Sequence, residues 1–386
     1  MRPRSVTGPG PARGCPRTEV RVLVVNVGSS SLKLALVGEG GATLGARELD
    51  AADDAAWPAA LASALDGALG DADAIGCRIV HGGDRFSAPV RVDEGVRDTL
   101  GELVDLAPLH QPRSLAALDA VCARLPGVPA VACFDTAFHA TMPPAATTYA
   151  LPAAWRARWA IRRYGFHGLS HGWIARRAPE LLGVSADAGT RIVSCHLGAG
   201  ASLCAIAAGR SVDTTMGFTP LEGLVMATRS GSVDPGLLLW LLERRALTER
   251  EMATALEHES GLAALAGSAD MRTVVATADD GDARARLALD VYLHRLRAGI
   301  AAMAAALGGL DALVFTGGVG EHAAQVRREA VEGLRFLGLA IDVVRNDEVN
   351  GDGEVSAGGA TARTLVVTAR EDLEIARQTR MALASG

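Results

Sequence analysis

One short pattern, a strand followed by a glycine- and serine-rich turn and a second strand, constrains this chain most. Residues 22–37 begin with apolar β-branched residues, break at Gly28 and three serines, and resume an apolar run at Leu32. Backbone N–H groups and hydroxyls of such a turn can converge on an anion without steric obstruction. Lys33, the only lysine of the chain, follows the turn and is suited to a phosphate contact. An ordinary hairpin with a surface lysine is the alternative.

The same pattern recurs about half a chain later. His196 takes the position of Asn26 in the second copy, and Gly198 takes that of Gly28. A third glycine turn, residues 315–321, follows an apolar run and leads into a helical pattern near its end. Phosphate and ribose groups bind readily at such helix N-termini. The two hairpins and the third turn predict a duplicated domain with a nucleotide held between the halves.

Length, charge and composition exclude several classes of protein. A chain of 386 residues predicts two to three domains. The net charge of -6 argues against general nucleic-acid binding, and no apolar run approaches the ~18 residues of a membrane span. The cysteines show no CxxC spacing, and the nine histidines are not expected to form a zinc-binding pair, so we expect no zinc site and a reducing cytoplasm as the location. Residues 1–20, rich in Arg, Pro and Gly, are expected to form a disordered tail.

Apolar runs alternate with helical patterns, which predicts an α/β fold with partly parallel sheets. The expected strands are residues 74–80, 130–134 and 364–368, and the expected helices are 57–69, 96–106, 112–125, 283–307 and one from 371. The last helix is expected to pack back on the first domain. We therefore predict an N-terminal domain of residues 21–150 plus 372–386 and a C-terminal, nucleotide-binding domain of residues 151–371.

Charged side chains stand where a phosphoryl-transfer site would need them. Arg78, in an otherwise apolar strand, and Arg229, in a loop of small residues, could form a multidentate clamp for an anion. A structural ion pair is the alternative for Arg78. Asp135 could instead cap a helix, and His167 could be a hydrogen-bonded core histidine. The Glu371–Asp372 pair suits a hard cation or a helix N-terminus.

Nine motifs, in order along the chain from about Val22 to its end, resemble those of the acetate kinase family. They are NVGSSSLK (26–33), RIVHGG (78–83), LH (109–110), FDTAFH (134–139), RYGFHGLSH (163–171), HLGAG (196–200), MGFTPLEG (216–223), TRSG (228–231) and FTGGVGE (315–321). The resemblance implies the actin-like fold of sugar kinases and Hsp70 ATPases, with two duplicated, ribonuclease H-like domains and a nucleotide cleft between them. It also implies a homodimer that transfers the γ-phosphoryl group of ATP reversibly to acetate, giving acetyl phosphate and ADP.

The resemblance implies roles for individual residues by their position in these motifs. Arg78, Arg229 and His167 resemble the groups that stabilise the transition state, and Asp135 resembles the essential acidic residue. The acetate-binding residues would be Arg78, Val80, Leu109, His110, Phe166 and Pro220. The nucleotide- and phosphate-binding residues would be Ser29, Ser31, Lys33, His196, Leu197, Gly198, Ala199, Gly200, Asp270, Met271, Arg272, Gly318, Val319, Gly320, Glu321 and His322. Asn26 and Glu371 resemble the ligands of Mg²⁺, with Mn²⁺ as an alternative ion.

The chemistry of the acceptor explains this set of residues. Acetate is already a carboxylate at pH 7, so it needs no general base to become a nucleophile. Catalysis would then depend on alignment and on charge neutralisation around a loose transition state. We expect Asp135 to orient the metal or its water, not to remove a proton.

Three departures from the family pattern lie on the phosphoryl-donor side. Ala199 and His322 each stand where the family usually has Asn, and Ala369–Arg370 replaces Thr-Asn. Ala199 removes a side-chain donor near the nucleotide phosphates, so we predict a weaker affinity for ATP than in a relative with Asn there.

Three other functions remain open from the sequence. A propionate kinase would use the same chemistry, since one CH₂ changes apolar burial by only ~0.8 kcal/mol, although the bulky Val80 and Leu109 favour acetate. A pyrophosphate-dependent acyl kinase would fit the departures on the donor side. A non-enzymatic, ATP-gated module of the actin or Hsp70 type would not need Arg78, Arg229 and an apolar pocket together.

Overall fold

The computed structural model describes residues 20–28, 31–50, 57–108 and 110–385. The described residues do not include Ser29, Leu109 or residues 1–19. Residues 1–19 are all but the last residue of the expected N-terminal tail. Two six-stranded mixed sheets form the framework. The first contains β1 (Val22–Val27), β2 (Ser31–Val37), β3 (Thr43–Asp50), β4 (Ala74–Ile79), β5 (Val90–Arg91) and β6 (Ala130–Phe134). The second contains β7 (Arg191–Leu197), β8 (Ala201–Ala207), β9 (Arg210–Thr214), β10 (Ala312–Thr316), β11 (Gly353–Glu354) and β12 (Arg363–Val366).

Fifteen α-helices accompany these sheets in the described part of the chain. They are α1 (Trp57–Leu65), α2 (Glu94–Glu102), α3 (Gln111–Arg124), α4 (Pro144–Thr147), α5 (Ala153–Arg158), α6 (Gly168–Leu182), α7 (Pro235–Glu243), α8 (Glu249–His258), α9 (Gly261–Ala266), α10 (Met271–Asp279), α11 (Ala283–Leu307), α12 (Gly317–His322), α13 (Ala324–Glu332), α14 (Val343–Glu348) and α15 (Glu371–Ala384). Short 3₁₀ helices lie at Glu39–Gly41, Ala68–Gly70, Val104–Leu106, Ala137–Thr141 and Arg335–Leu337. Within the described ranges, no helix is both long and apolar enough to cross a membrane.

The two sheets have the same topology. The first has the strand order β3-β2-β1-β4-β6-β5, and the second has β9-β8-β7-β10-β12-β11. In both, the first strand pairs antiparallel with the second and parallel with the fourth. Asn26 of β1 pairs with Lys33, and His196 of β7 pairs with Ser202. The duplication predicted from the two hairpins is therefore present in the strand order and in the register.

The central strands are buried because helices cover both faces of each sheet. Every residue of β6 and of β10 is buried, which explains their continuous apolar sequences. The long helix α11 has the predicted bounds. It begins after Asp282, whose side chain accepts a hydrogen bond from the Ala285 N–H, and it ends at Gly308 in the left-handed conformation (φ 68°).

Four predicted helices have other bounds, and the one predicted over 112–125 is shifted by a single residue to Gln111–Arg124. The pattern over 57–69 ends as an α-helix at Leu65, and the pattern over 96–106 becomes α2, which starts after the Asp93 cap and ends at Glu102. Both continue into 3₁₀ turns. Helix α12 begins at Gly317, four residues before the predicted start, because the Glu321 side chain accepts a hydrogen bond from the Gly317 N–H.

The last helix, α15, packs on the first sheet, as expected. Ile375 and Ala376 of α15 belong to one buried apolar cluster with Val24 of β1 and Cys133 of β6. Gly76 of β4 leaves room for this helix, since a Cβ there would collide with Thr379 and Ile375. The domain limits at residues 150 and 371 stay a prediction.

Candidate active site

The carboxyl ends of the parallel strands of both sheets face one cavity of about 810 Å³. In α/β proteins, such strand ends are where ligands bind. The cavity is lined from the first sheet by Asn26, Arg78 and Asp135 and from the second half by His196, Gly317, Gly318 and Glu371. Glu371 reaches it because α15 begins directly after the loop that follows β12.

Arg78 and Asp135 form a buried ion pair on this cavity. Nε and Nη2 of Arg78 donate to Oδ2 of Asp135 at 3.1 and 2.6 Å, and Nη1 donates to the Val27 carbonyl at 2.7 Å. Burial lowers the pKa of Arg78, but the Asp135 and Glu371 carboxylates outweigh it, and the pKa lies above its ordinary value. The structural ion pair is therefore present, and it aims a permanently charged guanidinium at the cavity. Asp135 Oδ1 makes no hydrogen bond with the described residues.

Asn26 and Glu371 lie together at the same end. Asn26 Nδ2 donates to Glu371 Oε2 at 2.7 Å. Burial raises the pKa of Glu371, but Arg78 and then His196 lower it by more, so the carboxyl group is ionised. An amide oxygen and a carboxylate are the donors that Mg²⁺ accepts, and this ion usually takes only one or two carboxylates beside water and phosphate oxygens. Asn26 and Glu371 therefore fit the expected ion. Elsewhere in the described residues, no cluster of three or more His, Cys, Asp or Glu side chains could bind a metal.

His167 has an unusual backbone conformation. It precedes α6 with φ 56° and ψ 25°, in the left-handed region that non-glycine residues rarely occupy. The next residue must be glycine, because a Cβ on Gly168 would collide with the Asp135 carbonyl oxygen, which accepts the Gly168 N–H. This turn directs the imidazole into the cavity, where it packs against His196 with a centroid distance of 4.4 Å and an angle of 33° between the rings. Strain of this kind is concentrated at functional sites.

The apolar residues expected to hold the methyl group line the same cavity. Val80 and Phe166 are almost fully buried, and Pro220 is half-buried beside Arg229 and His110. Arg229 Nη2 lies 3.4 Å from His110 Nε2. Burial, together with Arg229 and other cations, lowers the pKa of His110 to about 4, so this imidazole is neutral at pH 7. Burial also lowers the pKa of Arg229, and the Glu257 carboxylate opposes this effect.

A second cavity, of about 300 Å³, adjoins the first at Ala199 and Gly318. It brings together the three segments expected to bind the nucleotide, through Gly198, Ala199, Asp270, Met271, Arg272, Gly318, Val319 and His322. Lys33, His196, Ala199, Gly200, Gly318 and Glu321 line the larger cavity. The departures from the family pattern at Ala199 and His322 thus lie on the cavity walls.

Three described residues of the expected nucleotide set face neither cavity. Leu197 is fully buried in the core of the second half, and Gly320 is buried inside α12, where its carbonyl accepts from Arg327. Ser31 also lies outside both cavity linings, and its carbonyl accepts the Gly28 N–H at 2.8 Å. Glu321 lines the larger cavity, but its carboxylate accepts hydrogen bonds from the N–H groups of Gly317 and Ala369. It therefore holds the backbone in place at both of these residues.

A group of serines that contacts His167 and its neighbour His171 was not expected from the sequence. His167 and His171 have the four-residue spacing of a zinc-binding pair, a signal that the expectation of no zinc site overlooked. The structure shows another arrangement, since both ring nitrogens of His171 lie within 2.9 Å of serine hydroxyls, those of Ser194 and Ser202. The serines lie 23 and 31 residues from His171, so no local pattern connects them to it.

Comparisons with known proteins agree with this geometry. The model of the acetokinase family matches residues 58–377. The acetate kinase of Gloeobacter violaceus is 49% identical over 306 residues, which cover 79% of this chain and 75% of that protein. The acetate kinase of Desulfitobacterium hafniense (strain DCB-2) is 39% identical over 393 residues, covering 93% of this chain and 98% of that protein.

Solved structures of an acetate kinase and of a propionate kinase have the same fold as this chain. The Porphyromonas gingivalis acetate kinase superimposes with a TM-score of 0.85 at 36% identity, covering 94% of this chain and 100% of that chain. A propionate kinase from Francisella tularensis superimposes with a TM-score of 0.86 at 33% identity, covering 94% of this chain and 99% of that chain. The predicted actin-like fold class is confirmed, and the chain belongs to the acetokinase family.

Proposed function

We propose that this protein is an acetate kinase, which transfers the γ-phosphoryl group of ATP reversibly and in line to acetate and so interconverts acetyl phosphate and ADP with acetate and ATP. One observation carries the proposal. Two guanidinium groups, a neutral imidazole and a small apolar pocket face the same cavity between the two sheets. A protein that only bound and released a nucleotide would need neither the pocket nor the second arginine.

The acceptor would lie between Arg229 and the apolar residues. Its methyl group would occupy the space beside Val80, Phe166 and Pro220, and its carboxylate would face Arg229 and Arg78. Guanidinium groups suit this task because their planar N–H donors match a carboxylate. The carboxylate is already a nucleophile, so no residue of the site needs to remove a proton.

The transferred phosphoryl group would pass between Arg78, Arg229 and His167. The hydrogen bonds to Asp135 and Val27 fix the position of the Arg78 guanidinium. They leave one Nη2 proton of Arg78 available for a bond to the phosphoryl group. Donors held in place before the reaction stabilise developing charge without reorganisation. Asp135 would act through Arg78 and, with its free Oδ1, through a metal-bound water.

Asn26 and Glu371 would hold Mg²⁺, or Mn²⁺ in its place. The bound ion would neutralise charge on the donor phosphates and orient them for transfer. The adjoining smaller cavity, walled by Asp270, Met271 and His322, would take the nucleoside part of ATP. Lys33 at the rim of the larger cavity would contact a phosphate.

Propionate is a second candidate acceptor. The similarity to a propionate kinase is close, and one extra CH₂ changes binding by only ~0.8 kcal/mol. We expect acetate to be preferred because the bulky side chains of Val80 and Phe166 line the acceptor side of the cavity.

A homodimer is also proposed. None of the nine residues of α7, Pro-Gly-Leu-Leu-Leu-Trp-Leu-Leu-Glu, is buried, and Leu237, Leu239 and Trp240 are all about half exposed. Apolar patches of this kind mark protein interfaces. Light scattering should give twice the chain mass, and Trp240→Glu should shift it toward the monomer.

A cytoplasmic location, where ATP is abundant, completes the proposal.

The reverse reaction tests the proposed activity. Acetyl phosphate, Mg²⁺ and ADP should yield ATP, measured by coupled hexokinase and glucose-6-phosphate dehydrogenase. Arg229→Ala should lower kcat/KM for acetyl phosphate by about 10²-fold or more. Arg250→Ala, an exposed arginine on α8, serves as the control and should keep the wild-type value. An absence of ATP formation would contradict the proposal.

A further inference from the structure

Four histidines near the start of α6 each have a serine hydroxyl on Nδ1. The Oγ to Nδ1 distances are 2.9 Å for Ser211 and His139, 2.9 Å for Ser202 and His167, 2.9 Å for Ser194 and His171, and 2.8 Å for Ser170 and His196. Two of these pairs are linked, because Ser202 Oγ also lies 2.8 Å from His171 Nε2. Ser194, His171, Ser202 and His167 therefore form one continuous hydrogen-bonded chain that ends at the cavity.

Three arrangements of protons satisfy every contact of this chain. A neutral imidazole has one N–H and one lone pair, and a hydroxyl has one proton. Burial lowers the pKa of His171 well below its ordinary value, and His139 and His196 act in the same direction, so His171 is neutral. In one arrangement Ser202 accepts from both histidines, and its own buried hydroxyl proton then has no acceptor among the described residues, which is costly. In the other two arrangements, the tautomer of one histidine sets that of the other through Ser202.

In the first arrangement, protons point away from the cavity. His167 Nδ1–H donates to Ser202, Ser202 donates to His171 Nε2, and His171 Nδ1–H donates to Ser194. The Ser194 hydroxyl proton is then left over. Ser194 is fully buried, and its hydroxyl has no other hydrogen-bond partner among the described residues. A buried donor without an acceptor is costly.

In the second arrangement, every hydroxyl proton of the chain has an acceptor among its members. Ser194 donates to His171 Nδ1, His171 Nε2–H donates to Ser202, and Ser202 donates to His167 Nδ1. The proton of His167 is then on Nε2. A Cβ added to Gly200 would lie 3.3 Å from this Nε2 and 3.4 Å from Arg229 Nη1, so both nitrogens face the same part of the cavity.

We infer that Ser194, His171 and Ser202 are positioning residues that fix His167 as the Nε2–H tautomer, so that it presents a hydrogen-bond donor to the transferred phosphoryl group. The catalytic consequence rests on the proposed function. In the other tautomer, Nε2 would present a lone pair to negatively charged oxygens and would repel them. Ser170, buried and bonded only to His196 among the described residues, sets His196 in the same way.

The tautomer can be measured without any substrate. Nitrogen-15 NMR of the full chain labelled at histidine distinguishes a protonated ring nitrogen from an unprotonated one, and His167→Gln assigns the signals. We expect His167 to be protonated at Nε2 and unprotonated at Nδ1 in the wild type. Ser202→Ala should give a mixture of tautomers, whereas Ser202→Thr, which keeps the hydroxyl, should restore the wild-type signal. Ser194→Ala, which removes the preference at the other end of the chain, gives a second variant should Ser202→Ala fail to fold.

Kinetics supply the second readout, with Ser211→Ala as the matched control. Ser211 is as buried as Ser194 and also bonds a histidine Nδ1. His139 Nε2 must nevertheless donate to the Phe166 carbonyl, 2.9 Å away, so this tautomer does not depend on the serine. Ser202→Ala should lower kcat by about 5- to 20-fold with little change in KM for acetate. Ser211→Ala should leave kcat within about twofold of the wild type.

The outcomes separate this inference from the proposed function. A wild-type His167 protonated at Nδ1, or an Nε2–H tautomer that stays unchanged in Ser202→Ala, overturns the positioning role. A changed tautomer with an unchanged kcat overturns its catalytic consequence. A wild-type protein that makes no acetyl phosphate contradicts the proposed function, and the NMR result still decides the tautomer.

Discussion

At the scale of single residues, the cavity is built from side chains that hold one another. Asp135 binds Arg78, Asn26 binds Glu371, and serines bind the adjacent His167 and His196. The sequence could indicate which residue types belong to the site, because each stands in a distinctive motif. It could not indicate these pairings, since the partners of Arg78 and of Asn26 lie 57 and 345 residues away.

The charge of Asp135 can be removed with little change of shape. Asp135→Asn should lower kcat by about 10²-fold or more, because Arg78 loses its carboxylate and a metal-bound water loses its acceptor. We also expect a higher Mg²⁺ concentration at half-maximal rate, measured by titrating the metal at saturating ATP. Asp119→Asn is the control, since Asp119 also accepts from the Nε and Nη2 atoms of an arginine, Arg97, but on the surface. An Asp135→Asn enzyme with an unchanged metal dependence would contradict the role proposed for this carboxylate.

Ala199 lies where the two cavities meet. Ala199→Asn should lower KM for ATP by up to about tenfold, because a hydrogen bond to a charged phosphate contributes roughly 1.5 kcal/mol. KM for acetate should not change, since the acceptor pocket is formed by other residues. Steady-state kinetics with each substrate varied in turn gives both values. An unchanged KM for ATP would show that the missing donor does not limit nucleotide affinity.

At the scale of elements, the sequence predicted most where apolar residues form long runs. The strand Ala130–Phe134 and the helix Ala283–Leu307 have the expected bounds, because the strand is buried throughout and the helix lies between the Asp282 cap and Gly308. Prediction was weaker at α12, which starts early because of a contact from the Glu321 side chain inside the helix. The 3₁₀ turns after α1 and α2 continue the helical spacing of apolar residues, so the pattern could not separate them from the helices.

The contact between α15 and β4 depends on Gly76. A Cβ at this position would lie 2.8 Å from Ile375 and would also collide with Thr379. Gly76→Ala should therefore lower the free energy of unfolding by about 1–3 kcal/mol, seen as a lower urea midpoint. Gly67→Ala is the control, because a Cβ there meets nothing within 4 Å. Equal midpoints for the two variants would contradict the close packing of α15 on the first sheet.

At the scale of the whole molecule, two sheets of the same topology enclose one cavity, and the interior beside it contains neutral histidines. The repeated hairpins were sufficient to predict the duplication. They could not predict the buried serine and histidine chain, because its members come from α6, β7 and β8 and meet only in the folded structure. These buried, neutral histidines should make the stability of the fold sensitive to acid.

His139 provides the test of this acid sensitivity. Burial lowers its pKa to about 4, and its bond to the Phe166 carbonyl only partly opposes the shift. The unfolded chain, with an ordinary histidine pKa, binds more protons below about pH 6.5, so stability falls as the pH falls from there toward 4. This one group should lower the free energy of unfolding by about 1.4 kcal/mol between pH 7.5 and pH 5.5.

Urea unfolding at these two pH values measures the effect. His139→Gln should be less stable at pH 7.5 but should lose less on acidification than the wild type. His294→Gln, a change of an exposed histidine, should keep the wild-type dependence. A His139→Gln variant with the full wild-type loss would show that His139 does not contribute to the acid sensitivity.

Transfer of a phosphoryl group to a short carboxylate is the reaction proposed for this cavity. Trapping of acyl phosphate with hydroxylamine tests it directly, with acetate, propionate and butyrate as acceptors and with Mg-ATP or pyrophosphate as donors. We predict the strongest signal with acetate and ATP, a weaker signal with propionate and the weakest with butyrate, because Val80, Phe166 and Pro220 leave space for a small group. A signal with pyrophosphate alone would contradict the proposed donor, and no acyl phosphate from any pair would contradict the proposed reaction.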